Sequence, residues 1–303
     1  ASNDGYLLRN FIEADIPCLG IEPTASTASA AEDLRIPVLR EFFGEHVARR
    51  LANQGQQADL IVGNNVYAHV PEINDFTSGL KAALKPGGTI TLEFPHLMQL
   101  IEHTQFDTVY HEHFSYLSLY TVRRMFEQAG LRIFDVEQLT THGGSLRVFG
   151  CHDDDPRAIS KSVYGVLSEE ESRGLQKLAT YQLFQVRANQ LKDELLMFLL
   201  ARKREGERVM AYGAAAKGNT LLNYAGIKPD LVSAVCDAAP AKQGTFMPGS
   251  HIPILSPAEL ELRRPEFLLI LPWNIADELK RQYMALAKSG TRFVTAIPEL
   301  VIS

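Results

Sequence analysis

Short apolar runs alternate with amphipathic segments along most of the chain, and this alternation constrains the fold more than any other feature. One repeat of it is an apolar strand at 58–63, a helix at 73–84 and a second strand at 89–94. Strands that alternate with helices at this pitch predict a parallel sheet covered on both faces. The same region is predicted to hold helices at 7–14, 24–33, 44–54 and 120–129 and strands at 18–21, 36–40, 131–137 and 145–150, the last two antiparallel at the sheet edge.

A second alternation follows a long helical pattern. The helix is expected over 168–205, with Ser168 and Glu171 as a capping box at its start. Beyond it, strands are predicted at 208–213, 231–236, 267–271 and 292–297, with helices from 218 and over 276–289. At ~150 residues per domain, the chain length also indicates two domains. We therefore expect an α/β domain over 1–155, a linker and bridging helix over 156–206, and a smaller α/β domain over 207–303.

Charge and cysteine content exclude several function classes. The chain has 30 basic and 36 acidic residues, a net charge of −6, and no block of Lys or Arg. Proteins that bind nucleic acid or an anionic membrane normally carry a basic stripe, so neither partner is expected. The cysteines Cys18, Cys151 and Cys236 are too widely spaced for a disulfide framework or a zinc site. No apolar run nears the ~20 residues that span a bilayer. We expect a cytoplasmic protein with no metal bound by these residues.

The first candidate site is the segment Ser2-Asn3-Asp4-Gly5, which stands directly before a predicted helix. A turn of small residues lets the backbone approach a cofactor. Glu22 follows the next strand, where a carboxylate can accept two hydrogen bonds from ribose hydroxyls. An ordinary Asp-Gly turn and a strand-end Glu explain this spacing equally well.

A polar loop that contains Asn64, Asn65 and His69 follows the strand at 58–63. In open α/β sheets, ligands bind beyond the carboxyl ends of the strands, so this loop is expected to face the same crevice. The two asparagines can hydrogen-bond an amine of the cofactor or orient the loop. A lone histidine in such a position is more often a loop anchor than a functional group.

The densest polar cluster is Tyr110-His111-Glu112-His113. Its histidines are two residues apart, unlike the His-Glu-x-x-His of zinc hydrolases. Imidazole titrates near neutral pH and a neighbouring carboxylate tunes it, so the cluster favours general acid–base chemistry beside a carbonyl. A surface loop and a metal site are the alternatives.

Two glycine-containing segments are further candidates. His142-Gly143-Gly144 allows a main chain to pass close to a ligand, although a hairpin turn explains it equally well. Lys217-Gly218-Asn219 lies where a strand leads into a helix, and free backbone N–H groups and a lysine there suit a phosphate. The segment is not the Gly-x-x-x-x-Gly-Lys-Ser/Thr of a P-loop, and a simple strand-to-helix turn is the alternative.

These motifs occur in an order that resembles the S-adenosylmethionine-dependent sugar C-methyltransferases. The resemblance rests on Ser2-Asn3-Asp4-Gly5, on the segments 110–116 and 142–147, and on Tyr212-Gly213-x3-Lys217-Gly218-Asn219, and it covers nearly the whole chain. It implies a Rossmann-like methyltransferase domain joined by a long helix to a second, smaller Rossmann-like domain that helps hold a nucleotide sugar. It also implies methyl transfer to C-3 of a 4-keto-6-deoxy sugar carried on a nucleoside diphosphate.

The family also has an N-terminal zinc-binding domain. Neither that domain nor the strand expected before Ser2 is present in this sequence. The resemblance therefore implies that the native protein is longer and that zinc belongs only to the missing domain. It leaves the oligomeric state open, a monomer included.

The chemistry of this reaction suggests a role for each candidate residue. We expect His113 to take the C-3 proton, Glu112 to orient or charge it, and Tyr110 and His69 to lie near the C-4 oxygen. Ser2, Asn3, Asp4, Gly5, Glu22, Asn64 and Asn65 are assigned to the cofactor, and His142, Gly143, Lys217, Gly218 and Asn219 to the nucleotide sugar. A nicotinamide-dependent oxidoreductase, an O- or N-methyltransferase and a non-catalytic sugar-nucleotide binding module are the alternatives. A nicotinamide-dependent oxidoreductase is expected to have a Gly-x-Gly-x-x-Gly turn, and neither domain of this chain contains one.

Overall fold

The computed structural model describes all 303 residues and divides the chain into two compact units. Unit 1 comprises Ala1–His96 and Phe114–Ser172, and unit 2 comprises Leu97–His113 and Arg173–Ser303. The chain therefore enters unit 2 for one short segment, returns to unit 1, and then completes unit 2. That short segment carries the Tyr110-His111-Glu112-His113 cluster.

The structure contains helices and strands in the predicted alternation. The helices are α1 Arg9–Glu13, α2 Ala25–Asp33, α3 Glu45–Asn53, α4 Ile73–Ala83, α5 Leu97–Glu102, α6 Leu119–Gln128, α7 Lys161–Ser172, α8 Leu178–Arg204, α9 Ala216–Tyr224, α10 Ala258–Arg263, α11 Ala276–Gln282 and α12 Met284–Lys288. The strands are β1 Gly20–Ile21, β2 Val38–Leu39, β3 Ala58–Asn64, β4 Leu84–Pro95, β5 Leu131–Leu139, β6 Ser145–His152, β7 Val209–Tyr212, β8 Val235–Cys236, β9 Ile254–Leu255, β10 Phe267–Ile270, β11 Arg292–Thr295 and β12 Val301–Ile302. The Rossmann-like α/β class expected from the sequence is confirmed.

Unit 1 contains a four-stranded sheet in the order β3-β4-β6-β5 and a separate parallel pair, β1-β2. Strands β3 and β4 are parallel, whereas β6 runs antiparallel to both β4 and β5, as predicted for the edge of the sheet. The register of β3 on β4 jumps from Ala58–Leu84 to Leu60–Thr89, so residues 85–88 form an irregularity within β4.

The core of unit 1 lies between this sheet and the helices. Leu92 and Phe94 of β4 and Phe126 of α6 are wholly buried. A Cβ on Gly150 of β6 would lie 2.4 Å from Phe126 Cε1, so the missing side chain allows the helix to pack against the strand.

Unit 2 contains a six-stranded sheet in the order β12-β11-β10-β7-β8-β9, parallel except for β12. Every residue of β7 and β10 is buried, which explains the continuous apolar runs at these strands. From β7 the chain first builds outward through β8 and β9, and later returns to place β10 on the other side of β7. The carboxyl ends of β7 and β10 therefore form a topological switch point, where α/β sheets bind ligands.

The single long helix predicted over 168–205 is wrong, because α7 ends at Ser172 and α8 begins at Leu178. Gly174 between them has a φ of +73°, a conformation that ends a helix. Ser168 and Glu171 therefore lie inside α7 instead of capping a helix. The helix predicted over 276–289 is likewise divided, into α11 and α12. None of the helices has the length and apolar character needed to cross a membrane.

Candidate functional site

The N-terminal segment of unit 1 forms a tight turn beside a strand-end carboxylate. Asn3 and Gly5 have φ values of +51° and +79°, and the Gly5 amide donates to the Ser2 carbonyl oxygen at 3.2 Å. A Cβ on Gly5 would lie 2.3 Å from Ile36 Cδ1, so glycine is required there. The Asn3 amide donates to Glu22 Oε2 at 2.9 Å. The structure thus brings the predicted turn and the predicted acid together.

Glu22 is a buried carboxylate with remaining capacity to accept hydrogen bonds. Its Oε1 accepts the Thr24 amide at 2.9 Å. Burial raises the pKa of Glu22, but the hydrogen bonds from Thr24 and Asn3 outweigh it and hold the pKa below its ordinary value. Each oxygen still has a lone pair for a ligand hydroxyl. Ser2 Oγ in the same turn is buried without a hydrogen-bond partner, whereas Asp4 is exposed and accepts the Tyr6 amide.

A second polar group lies at the carboxyl end of β3. Asn64 pairs in register with Glu93 of β4, and the Asn65 amide donates to the Glu93 carbonyl oxygen at 2.8 Å. The Asn65 side-chain amide lies 2.9 Å from His142 Nε2. A residue predicted for the cofactor and one predicted for the substrate are therefore in contact.

The loop that carries His142 has three consecutive residues with positive φ. His142, Gly143 and Gly144 have φ values of +55°, +88° and +115°. The paired glycines supply conformations that other residues adopt at a cost. The Gly144 carbonyl oxygen accepts the His96 amide at 3.0 Å, which ties this loop to the end of β4.

Sequence reasoning missed Glu93, the carboxylate that fixes this loop. It is buried near the end of β4, where Oε1 accepts the Thr141 hydroxyl at 2.9 Å and Oε2 accepts the Arg147 guanidinium at 2.8 Å. The available signal was an acidic residue between the apolar residues Leu92 and Phe94 of a predicted strand, because a buried acid requires partners.

His69 ends a 3-10 turn over Tyr67–His69 and is half-buried. Its amide donates to the Val66 carbonyl oxygen at 2.9 Å. The neighbouring Ala68 carbonyl oxygen accepts the amides of Phe114 and Ser115 at 2.9 and 3.2 Å. This turn is therefore tied to the residues that directly follow the Tyr110-His111-Glu112-His113 cluster.

Within unit 2, Tyr110 and His113 stack with ring centroids 4.3 Å apart. His113 Nδ1 lies 2.8 Å from the Thr108 carbonyl oxygen. A carbonyl oxygen only accepts, so Nδ1 carries the proton and Nε2 is the basic nitrogen of the neutral ring. His111 and Glu112 are exposed, and no group of three or more His, Cys, Asp or Glu side chains in the chain could hold a metal ion.

Lys217 lies at the switch point of unit 2. It follows β7, and its Nζ is 4.7 Å from the ring centroid of Trp273 and 3.3 Å from Asn274 Oδ1, both of which follow β10. A Cβ on Gly213 would lie 2.5 Å from Pro272 Cδ, so the two loops approach closely. The location agrees with the general rule for ligand sites in parallel sheets.

The Trp273 indole joins Lys217 to a buried acid that the sequence did not reveal. Trp273 Nε1 donates to Asp107 Oδ2 at 2.8 Å, while Asp107 Oδ1 is buried without a partner. Burial raises the pKa of Asp107 to about 6, although the hydrogen bond from Trp273 and the charge of Lys217 both lower it. Burial also lowers the pKa of Lys217, an effect opposed by Asp107.

Gly218 and Asn219 lie in the first turns of α9, beside Lys217. A Cβ on Gly218 would lie 2.7 Å from Leu271 Cδ1 and 3.0 Å from the Gly213 carbonyl oxygen, so this glycine allows the helix to pack on the sheet. Asn219 Oδ1 accepts the side-chain amide of Asn223 at 3.2 Å.

Comparisons with known proteins show which families the chain matches. The family described as "C-methyltransferase C-terminal domain" matches residues 140–298, and the one described as "Methyltransferase domain" matches residues 2–136. The C-methyltransferase NovU of Streptomyces niveus is 34% identical over 98% of this chain and 71% of its own length.

Solved structures are similar over about half of the chain. A putative methyltransferase complexed with the Trm112 activator of Haloferax volcanii matches with a TM-score of 0.40 and 14% identity, over 50% of this chain and 79% of that one. Magnesium protoporphyrin IX methyltransferase of Synechocystis PCC 6803 with bound S-adenosylmethionine matches with a TM-score of 0.37 and 13% identity, over 49% of this chain and 65% of that one.

Proposed function

The chain belongs to the C-methyltransferase family and is an S-adenosylmethionine-dependent methyltransferase, and on that premise we propose that its substrate is a keto-deoxysugar carried on a nucleoside diphosphate. The observation that carries this proposal is that unit 2 holds both an imidazole oriented by the Thr108 carbonyl oxygen, that of His113, and a lysine at the switch point of its sheet, Lys217. The first suits proton removal next to a ketone, and the second suits the negative charge of a diphosphate.

The residues of unit 1 fit the cofactor. S-adenosylmethionine supplies an electrophilic methyl group when it is bound. Glu22 is ionised, is buried at a strand end and keeps lone pairs for ribose hydroxyls. Ser2 Oγ is an orphaned polar atom in the adjoining turn, and Gly20 of β1 lets that turn approach the strand, since a Cβ on Gly20 would lie 2.6 Å from Ser2 Oγ. We assign the cofactor to Ser2, Asn3, Asp4, Gly5, Glu22, Asn64 and Asn65.

His113 is the proposed base. A carbon next to a ketone becomes a nucleophile only after it loses a proton, and Nε2 is the nitrogen that can take it because Nδ1 donates to Thr108. The enolate oxygen that results needs hydrogen-bond donors, a role we assign to Tyr110 and His69. Glu112 is the carboxylate proposed to support the imidazolium.

Lys217 is the proposed ligand of the diphosphate. Its partial burial weakens its own hydration, which strengthens its attraction to an anion. We also assign substrate contacts to Gly218 and Asn219, which follow it, and to His142 and Gly143 in unit 1. The contact between His142 and Asn65 supports that placement beside the cofactor residues.

The test separates deprotonation from methyl transfer. The His113→Asn variant is expected to lose solvent deuterium exchange at the carbon next to the ketone, measured without S-adenosylmethionine, and also methyl transfer to a 4-keto sugar nucleotide. General acid–base groups contribute about 10²–10⁴-fold, which sets the expected loss. Glu112→Gln is expected to show a smaller loss in both assays.

His111→Asn is the matched control, since this exposed histidine lies in the same segment and has no role in the proposal. The control should retain both activities. Wild-type rates in His113→Asn would overturn the assignment of the base, and absence of transfer to any keto sugar nucleotide by the wild-type enzyme would overturn the substrate class.

A further inference from the structure

We propose that Asp107 and Trp273 are a positioning pair for His113, and that the same indole links Lys217 to the turn that orients the base. The kinetic consequence rests on the proposed function of His113, whereas the positioning itself does not. Three observations within unit 2 carry the inference.

The first observation is the anchoring of the turn that holds His113. A 3-10 turn over Phe106–Thr108 follows α5, and all of its residues are buried. Phe106 belongs to the buried core of unit 2, and its ring centroid lies 5.0 Å from that of the more exposed Tyr224. Thr108, the last residue of this turn, provides the carbonyl oxygen to which His113 Nδ1 donates. The direction of that carbonyl depends on how the preceding residue, Asp107, is held.

The second observation is that one tryptophan holds Asp107 and also faces Lys217. The indole N–H donates to Asp107 Oδ2 at 2.8 Å, and the ring face lies 4.7 Å from Lys217 Nζ. Without the indole N–H, this wholly buried carboxylate would lose the hydrogen bond to Oδ2, and its Oδ1 already lacks a partner. The turn would then have to shift to reach water, because an unsatisfied buried carboxylate is costly.

The third observation is the chemical nature of the pair. A turn that only needed to pack would be served at least as well by apolar residues, since a buried ionisable group seldom adds net stability. Here an acid, an indole N–H and a lysine lie together at the switch point of the sheet. An anion bound at Lys217 would thus lie beside the Trp273 indole, which also holds the Phe106–Thr108 turn that orients His113.

The experiment measures the tautomer of His113 directly. Histidine labelled with ¹⁵N in the full chain is observed by long-range ¹H–¹⁵N correlation, and the His113→Asn spectrum assigns the signal. We expect the Nδ1–H tautomer in the wild type. Trp273→Phe keeps a ring face for Lys217 but removes the donor, and Asp107→Leu removes the acceptor. Both should shift His113 toward a mixture of tautomers, whereas Asp107→Asn retains an acceptor and should stay near the wild type.

The kinetic readout is deuterium exchange at the carbon next to the ketone. Trp273→Phe and Asp107→Leu should each lower kcat by about 10–100-fold with little change in KM, as expected for a misplaced base. The double variant should be no worse than either single variant, because each breaks the same interaction. S-adenosylmethionine binding, which we assign to unit 1, should be unchanged. If Asp107→Leu fails to fold, the milder Trp273→Phe decides alone.

An unchanged His113 tautomer in Trp273→Phe and Asp107→Leu overturns the inference, whatever the activity. Additive losses in the double variant, or a rise in KM alone, also overturn it, since Trp273 would then serve only Lys217. A shifted tautomer with wild-type exchange supports the positioning pair but removes His113 as the base. In that case the proposed function fails while the inference stands.

Discussion

The replacement of Glu170 by Gln should destabilise unit 1, because this buried residue of α7 accepts three hydrogen bonds. Its Oε1 lies 2.7 Å from His96 Nε2 and accepts the Leu119 amide at 2.6 Å, and its Oε2 accepts the Tyr120 amide at 2.9 Å. These amides belong to the N-terminus of α6, whose positive dipole end favours a carboxylate. Glu170 therefore caps a helix other than its own.

The magnitude follows from these contacts. A glutamine keeps one acceptor oxygen, but its NH₂ group would face the Tyr120 amide, and a stranded buried donor costs about 1–3 kcal/mol. The two remaining hydrogen bonds change from a charged to a neutral acceptor, at roughly 1 kcal/mol in total or slightly more. We therefore expect Glu170→Gln to lower the free energy of unfolding by about 2–4 kcal/mol.

The assay is urea unfolding followed by far-UV circular dichroism, together with hydrogen exchange of a peptide that spans 117–126. Exchange in that peptide should accelerate, since the capped amides lie in it. Glu171→Gln is the matched control, because Glu171 is the exposed next residue of the same helix. A stability for Glu170→Gln within ~0.5 kcal/mol of the control, with unchanged local exchange, would refute the reasoning.

Three further outcomes are expected. Glu22→Gln should weaken S-adenosylmethionine binding by about 10-fold or more in calorimetric titration, since an ionised acceptor becomes neutral, whereas the exposed Glu13→Gln should not. Lys217→Met should raise KM for a diphosphate-linked sugar by about 10-fold while cofactor affinity is unchanged, as measured by steady-state kinetics. Burial raises the pKa of Asp107 to about 6, so the folded state binds a proton that the unfolded state releases, and stability should fall as pH rises from about 4 to about 6. Asp107→Asn should remove that pH dependence of stability in urea unfolding. The same pH profile in Asp107→Asn as in the wild type would contradict the prediction.

The parts of the fold that the sequence predicted are those with local causes. Strands β7 and β10 are continuous apolar runs, and β3 is an apolar run interrupted by Asp59. Each of the three lies where a strand was expected. The division between α7 and α8 was missed because apolar side chains continue across it, from Val166 to Leu175 and Leu191, all buried. Gly174 was the local signal, but a single glycine does not show whether its φ is positive.

The candidate site also has parts that local sequence patterns predicted and parts that depend on contacts distant in sequence. The turn at Asn3 and the acid at Glu22 were predicted because both follow recognisable local patterns, and the structure joins them by a hydrogen bond. The contact between Trp273 and Asp107 spans 166 positions of the chain, so no local pattern could reveal it. Glu93 gave a partial signal as a carboxylate between Leu92 and Phe94, yet its partner Arg147 is 54 positions away.

Two strand-end acids show why identical local patterns can have different consequences. Glu22 accepts the amides of Asn3 and Thr24, and Asp237, after β8, accepts those of Ala214 and Ala239 at 2.7 and 2.8 Å. Asp237 therefore holds the loop that follows β7, and Glu22 holds the turn that precedes α1.

The difference lies in a neighbouring charge. Lys242 Nζ donates to the Ala214 carbonyl oxygen at 2.8 Å and lies 3.4 Å from Asp237 Oδ2, so the second acid has a cationic partner within its own loop. Such a carboxylate is less available to a ligand hydroxyl than Glu22, which has no lysine or arginine in the same hydrogen-bonded set. The ligand site that we propose for unit 2 therefore lies at the opposite side of β7, where Lys217 and Trp273 lie.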